Sequence, residues 1–283
     1  MNSDLLQMGV LCAIALATGL IGPFLVLRRM TMFANSLSHT ILLGIGAAFL
    51  LSGGALFCWS NLLLGALFAA LLTAFFTEGL IRYFRLQEDA SIGLVFTSLF
   101  AAGICLVTLF MRDVHIGLEA VMGNAELLQV TDLKLALALA LMNGAAVFLF
   151  YRQFELISFD RQLAKTLGIR CGVFHFLFLF LIAATCIAAF RAIGVLLVLS
   201  FLVGPYLTAR LFCNRLRGLL LWTPIVGIGA SILGVVLSRL SLELFDLPLS
   251  TAGIVSTLMG LIYMCAKSVA SAKIALCEKK LRS

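Results

Sequence analysis

Charge is scarce in this chain: only 12% of its 283 residues are Asp, Glu, Lys or Arg, about half of what an ordinary soluble domain carries. A water-facing surface of normal size cannot be built from so few charges, and the 63% apolar share and mean hydropathy of +1.15 agree with that exclusion. Catalytic signatures are missing as well. There is no Gly-x-x-x-x-Gly-Lys-Ser/Thr phosphate loop, which excludes ATP hydrolysis by that route, and no His-Glu-x-x-His pair, Gly-x-Ser-x-Gly elbow or dense acidic or histidine constellation. The eight cysteines are scattered singly without a CxxC pair, most of them inside apolar runs (Cys12, Cys58, Cys105, Cys186, Cys265), so they read as small hydrophobes and support neither a zinc cage nor a disulfide framework. The first apolar run lacks a basic region ahead of it, with Arg28 and Arg29 following instead, so a removable secretory signal is not expected.

What remains is apolar runs from end to end with short polar breaks: an all-α, polytopic membrane bundle in a single domain over residues 1–283. A spanning helix needs ~20 apolar residues. Spans are expected near 7–27, 38–58, 60–81, 92–111, 133–151, 173–190, 193–211, 218–238 and 251–268. That is about nine helices, or eight if the glycine-rich 38–81 region holds a broken or re-entrant piece. The formal charge of +7 reports orientation before it reports a nucleic-acid partner, and none is inferred. Basic residues cluster at Arg28/Arg29, Arg82/Arg85, Arg152 through Arg170, Arg210/Arg215/Arg217, and Lys267 through Arg282. Helix parity places all five clusters on one side, the cytoplasm, leaving the N-terminus outside and the C-terminus inside. The outer loops 112–132 and 239–250 then carry Asp113, Glu119, Glu126, Asp132, Glu243 and Asp246. Those acids either concentrate cations at an outer mouth or merely avoid the basic face. His115 and His175 read as interface or packing residues rather than ligands.

The segment 27–46, LRRMTMFANSLSHTILLGIG, brings an imidazole into the start of an apolar run beside two arginines. Asn35 and His39 are four apart and share a helical face. Lipid penalises such groups, so they belong either on a water-filled path or on an interfacial helix satisfied by neighbouring backbone. Gly22-Pro23, Gly44, Gly46, Gly204-Pro205, Gly227 and Gly229 offer close-packing and kinking positions that suit a moving transporter and a static bundle alike. In loop 152–172, Asp160 can cap a short helix over 161–167, and Gly168 supplies its stop. Leu163 and Leu167 give that helix an apolar stripe, whose cover is either the headgroup region or another protein.

Five ordered motifs carry a family resemblance. They are Arg28-Arg29-Met30 with Phe33 and Asn35-Ser36-Leu37-Ser38-His39; Glu88-Asp89-Ala90-Ser91-Ile92-Gly93; Phe159 through Gly168; Ile193-Gly194-Val195-Leu196-Leu197-Val198 through Pro205 and Ala209-Arg210; and Asp246-Leu247-Pro248. Together they resemble the permease subunits of ABC importers for zinc, manganese or iron, the ABC-3 family, over nearly the whole length. The resemblance implies a bundle like that of type II ABC importers in the bacterial inner membrane. Two permease subunits, identical or different, would receive the ion from an extracytoplasmic metal-binding protein and sit over two ATPases that hydrolyse the ATP. No cofactor is held permanently; the cargo is a divalent cation, manganese, zinc or iron. Carried over residue by residue, Asn35 and His39 would form a transient metal site, while Asp160, Ala164, Leu167 and Gly168 would couple the chain to the ATPase. Asn35 stands where the family motif has Asp, which removes the anionic oxygen most useful to a divalent cation and leaves room for a partner subunit to supply it. Outside this family, the competing readings are a gradient-driven secondary transporter, for which no repeat and no midplane charge stands out, Glu78 lying near a helix end, and a non-transporting assembly protein.

Overall fold

The computed structural model describes residues 3–51, 59–110, 128–245 and 250–282. These residues form α1 (Ser3–Leu27), α2 (Thr31–Leu51), α3 (Trp59–Phe84), α4 (Glu88–Phe110), α5 (Val130–Leu149), α6 (Tyr151–Phe159), α7 (Arg161–Thr166), α8 (Cys171–Ile193), α9 (Val195–Phe212), α10 (Leu216–Phe245) and α11 (Thr251–Arg282). No strand occurs among the described residues. Eight of these helices are long and apolar enough to cross a membrane; α2, at 21 residues, is a further long helix. Helices are what a chain this apolar must form in lipid, because each backbone N–H and C=O is then satisfied within its own segment.

Two expected boundaries move. α2 starts at Thr31, ahead of the expected 38, and the polar run Asn35–Thr40 lies inside the helix. The hydroxyls make this possible by folding back on helix carbonyls: Ser36 donates to Phe33 O (2.8 Å), Ser38 to Asn35 O (2.6 Å) and Thr40 to Leu37 O (3.3 Å). At the other end of the chain, α10 continues to Phe245, so residues 239–245, expected as loop, are helical and Glu243 sits on a helix. Ser241 folds back in the same way onto Leu237 O (2.8 Å). His115 and most of loop 112–132, Cys58, and the Asp246-Leu247-Pro248 motif fall outside the described residues.

The chain divides into two compact units. The first comprises Met1–Val26, Ala125–Leu149 and Leu196–Ser283, which hold α1, α5, α9, α10 and α11. Its helices meet through small residues: a Cβ added at Gly22 of α1 would fall 2.5 Å from the carbonyl oxygen of Leu202 in α9, so only glycine allows that approach. Asn143 of α5 donates its amide to Ala17 O of α1 (3.1 Å, buried), and Asp4 pairs with Arg239 between α1 and α10.

The second unit comprises Leu27–Asn124 and Phe150–Val195, with α2, α3, α4, α6, α7 and α8. α2 packs along α3 and α4, and α3 and α2 both touch α8. The two helices α2 and α3 run antiparallel, with Gly44 against the carbonyl of Gly65 near one end and Met30 and Phe33 facing Thr77, Glu78 and Ile81 toward the other. Gly44 and Gly65 bring backbone onto backbone there, leaving no side chain between the helices. Little of α4 is buried within the chain, leaving much of it for lipid or another subunit.

Candidate functional site

Asn35 and His39 lie on α2 within the second unit. His39 is half-buried, with its ring 5.2 Å from Phe96 and 5.3 Å from Phe100 of α4, and those two phenyl rings stack on each other at 5.9 Å. The aromatic pair fixes the orientation of the imidazole without consuming its nitrogens. Asn35, one turn earlier, is exposed. Among the described residues, no group of three or more His, Cys, Asp or Glu is assembled to hold a metal ion. One chain therefore offers two neutral donors at this place, an amide oxygen and an imidazole, which suits a fleeting contact with a divalent cation better than retention of one.

The loop at 152–172 folds into a compact elbow. α6 ends at Phe159, and Asp160 turns the chain in an extended conformation (φ −147°, ψ 99°). Its Oδ1 accepts from the backbone N–H of Gln162 (2.8 Å) and Leu163 (2.9 Å), capping α7. Such a cap stabilises a helix start by ~1 kcal/mol. Gly168 closes the far end at φ 77°, and its N–H donates to Lys165 O (3.0 Å) while that of Ile169 reaches Ala164 O (3.0 Å). Ala164 is fully buried against Ile157 and Cys171, so it seats α7 on the unit rather than presenting a surface. Leu163 (47% exposed), Leu167 (61%) and Phe159 (65%) point outward and form the apolar face.

Two joints tie the elbow to the transmembrane helices. At the first, Arg28 donates Nε–H to Ser158 Oγ (3.0 Å), with its guanidinium over the rings of Phe178 (4.3 Å) and Phe154 (5.7 Å). At the second, Glu78 of α3 accepts from His175 Nε2 of α8 (3.0 Å) and lies 3.7 Å from Arg161 Nη2 of α7. A cavity of ≈ 10 Å³ opens beside this carboxylate, lined by Met30, Phe33, Thr77, His175 and others, and the buried Thr77 Oγ1 has no hydrogen-bond partner. The packing reading of His175 thus needs enlarging: it is packed, and it is also the partner of a carboxylate. Neither residue stands out by spacing, since each is a single polar group near the end of an apolar helix. The available signal was that an ionisable residue within a span is a functional candidate by default.

These features define a class: a polytopic, all-α membrane protein whose long helices are joined to a short capped elbow by buried polar contacts. Residues 2–270 match the ABC 3 transport family, and the chain belongs to that family. Its relatives include a "Probable metal transport system membrane protein" of Chlamydia muridarum, 36% identical over 262 residues and covering 92% of this chain and 83% of the relative. The manganese transport system membrane protein MntD of Bacillus subtilis is 31% identical over 283 residues, covering 95% and 92% of the two chains. Among solved structures, PsaBC from Streptococcus pneumoniae in complex with Fab has the same fold, with a TM-score of 0.77 at 22% identity over 94% of this chain and 91% of that one.

Proposed function

We propose that the chain is the permease subunit of an ATP-driven importer of a divalent metal cation, with manganese, zinc and iron as the candidate cargoes, in the bacterial inner membrane. It is a single permease domain. In this reading an extracytoplasmic binding protein delivers the ion to the outer face, the ion passes Asn35 and His39, and a second permease subunit, the same or a different one, contributes the oxygen donors that Asn35 lacks. The elbow is the part that an ATPase subunit grips: Asp160 and Gly168 set its shape, Ala164 anchors it and Leu167 is presented to the partner. The observation that carries the reading is this capped, outward-facing elbow in a chain without a phosphate loop, whose relatives include manganese transport membrane proteins. Energy then has to arrive from another subunit.

The test is reconstitution. The chain is co-expressed with an ABC ATPase subunit and an extracytoplasmic metal-binding protein from the same genome, placed in proteoliposomes, and assayed for uptake of radioactive manganese, zinc and iron with and without ATP. ATP-dependent accumulation of one of these ions supports the reading, and a vesicle that hydrolyses ATP while accumulating none of them sinks it. The carboxylate of Glu78, held within membrane helices beside an imidazole, is the feature that favours the second reading, a gradient-driven carrier. Uptake that persists without ATP and collapses with a protonophore would select that alternative.

A further inference from the structure

We propose that Glu78 is the positioning residue through which movement of the elbow reaches the ion path, a role that rests on the importer reading above. Arg161 is the first residue of α7, and its guanidinium extends to Glu78, whose side chain is only 11% exposed inside the span of α3. The same carboxylate accepts from His175 of α8. Three helices therefore converge on one anionic group: the elbow's α7, the spanning helix α3 and the helix α8 that follows the elbow in the chain.

Apolar packing, such as that of Ala164 on Ile157, holds by area and lets surfaces slide. A shielded carboxylate behaves differently, because losing the Arg161 charge leaves Glu78 less compensated where little water reaches it, with His175 as its remaining direct partner. When α7 shifts, Glu78 and hence α3 follow Arg161, or the pair breaks at a cost. α3 in turn packs closely along α2, with Gly44 and Gly65 placing the two backbones in contact. The base of α2 is also adjacent: Met30 and Phe33 line the cavity beside Glu78. That cavity, with space for about one water molecule and the unsatisfied Thr77 hydroxyl on its wall, gives the carboxylate room to change its orientation as its partners move.

The experiment uses the full complex in proteoliposomes and reads the ratio of ions accumulated to ATP hydrolysed. Glu78→Gln keeps the shape and removes the charge; it should assemble, hydrolyse ATP, and show a fall of about tenfold in ions moved per ATP, the size expected of an intersite coupling. Glu78→Asp keeps the charge and should recover much of the ratio. Arg161→Gln, on a half-exposed side chain whose loss leaves the membrane core intact, should lower the ratio in the same direction while the ATPase still co-purifies, and it decides the matter if Glu78→Gln fails to assemble. A ratio at the parental value in Glu78→Gln or Arg161→Gln overturns the proposal. So does a parallel loss of uptake and hydrolysis that leaves the ratio fixed, because that is the mark of a merely structural contact. Failure of the parent complex to accumulate any of the ions overturns the importer reading itself, and is distinguishable because it appears before any substitution is made.

Discussion

The elbow and the Asn35–His39 stretch of α2 are built on opposite plans. The elbow is complete within the chain: Asp160 caps it, Gly168 stops it, and Ala164 seats it. The α2 stretch is incomplete. His39 is oriented by Phe96 and Phe100, yet only an exposed Asn35 stands beside it and no group of three or more His, Cys, Asp or Glu forms around them among the described residues. The contrast teaches where specificity resides. On the proposed reading the contrast is functional: a docking element must keep its shape when its partner is absent, whereas a transport site must not hold the ion once it has arrived.

The predictions press on that contrast. The largest effect is expected from His39→Ala, which should abolish metal-dependent uptake while the quantity of assembled complex, measured by size-exclusion chromatography, stays at the parental level; normal uptake would reduce the Asn35–His39 face to helix packing. Next comes Leu167→Asp. The side chain is 61% exposed, so folding should be untouched, but co-purification of the ATPase subunit should be lost. Gly168→Val forces a β-branched residue into positive φ at a cost of ~1 kcal/mol or more, and transport should fall with membrane insertion unchanged. Asp160→Ala removes a cap worth ~1 kcal/mol; Asp160→Ser should restore most of the lost transport, and if Ala and Ser behave alike the cap is irrelevant to coupling. The smallest change is expected from Asn35→Asp, which supplies an anionic oxygen and should alter the rank of manganese, zinc and iron in competition uptake, or slow release, rather than stop transport.

How much of this could be read from the sequence follows the range of each interaction. Asp160 and Gly168 act on backbone groups within a few residues, so their chemistry is written locally and the structure keeps it. The span count was legible because lipid imposes length and hydropathy. The start of α2 was not, since hydropathy treats Ser36, Ser38 and Thr40 as breaks while their hydroxyls in fact bond back to the helix. The extension of α10 through residues 239–245 was missed for the same reason. Glu78, His175 and Arg161 lie on three separate helices, and nothing in their spacing announces that they meet. Ala164 carries a different lesson: the motif singles it out, but only packing shows that it faces inward.

The Gly44–Gly65 contact gives the pair α2–α3 a fulcrum. Measured along the helices at ~1.5 Å per residue, Glu78 lies about 20 Å from it and His39 about 8 Å, on the same side because the helices are antiparallel. Because the contact lies between the two helices, any tilt of α3 against α2 opens a gap that grows with distance from it, so the gap at the level of His39 is less than half that at the level of Glu78. In the proposed importer, a coarse displacement at Glu78 would thus become a fine adjustment beside the His39 imidazole.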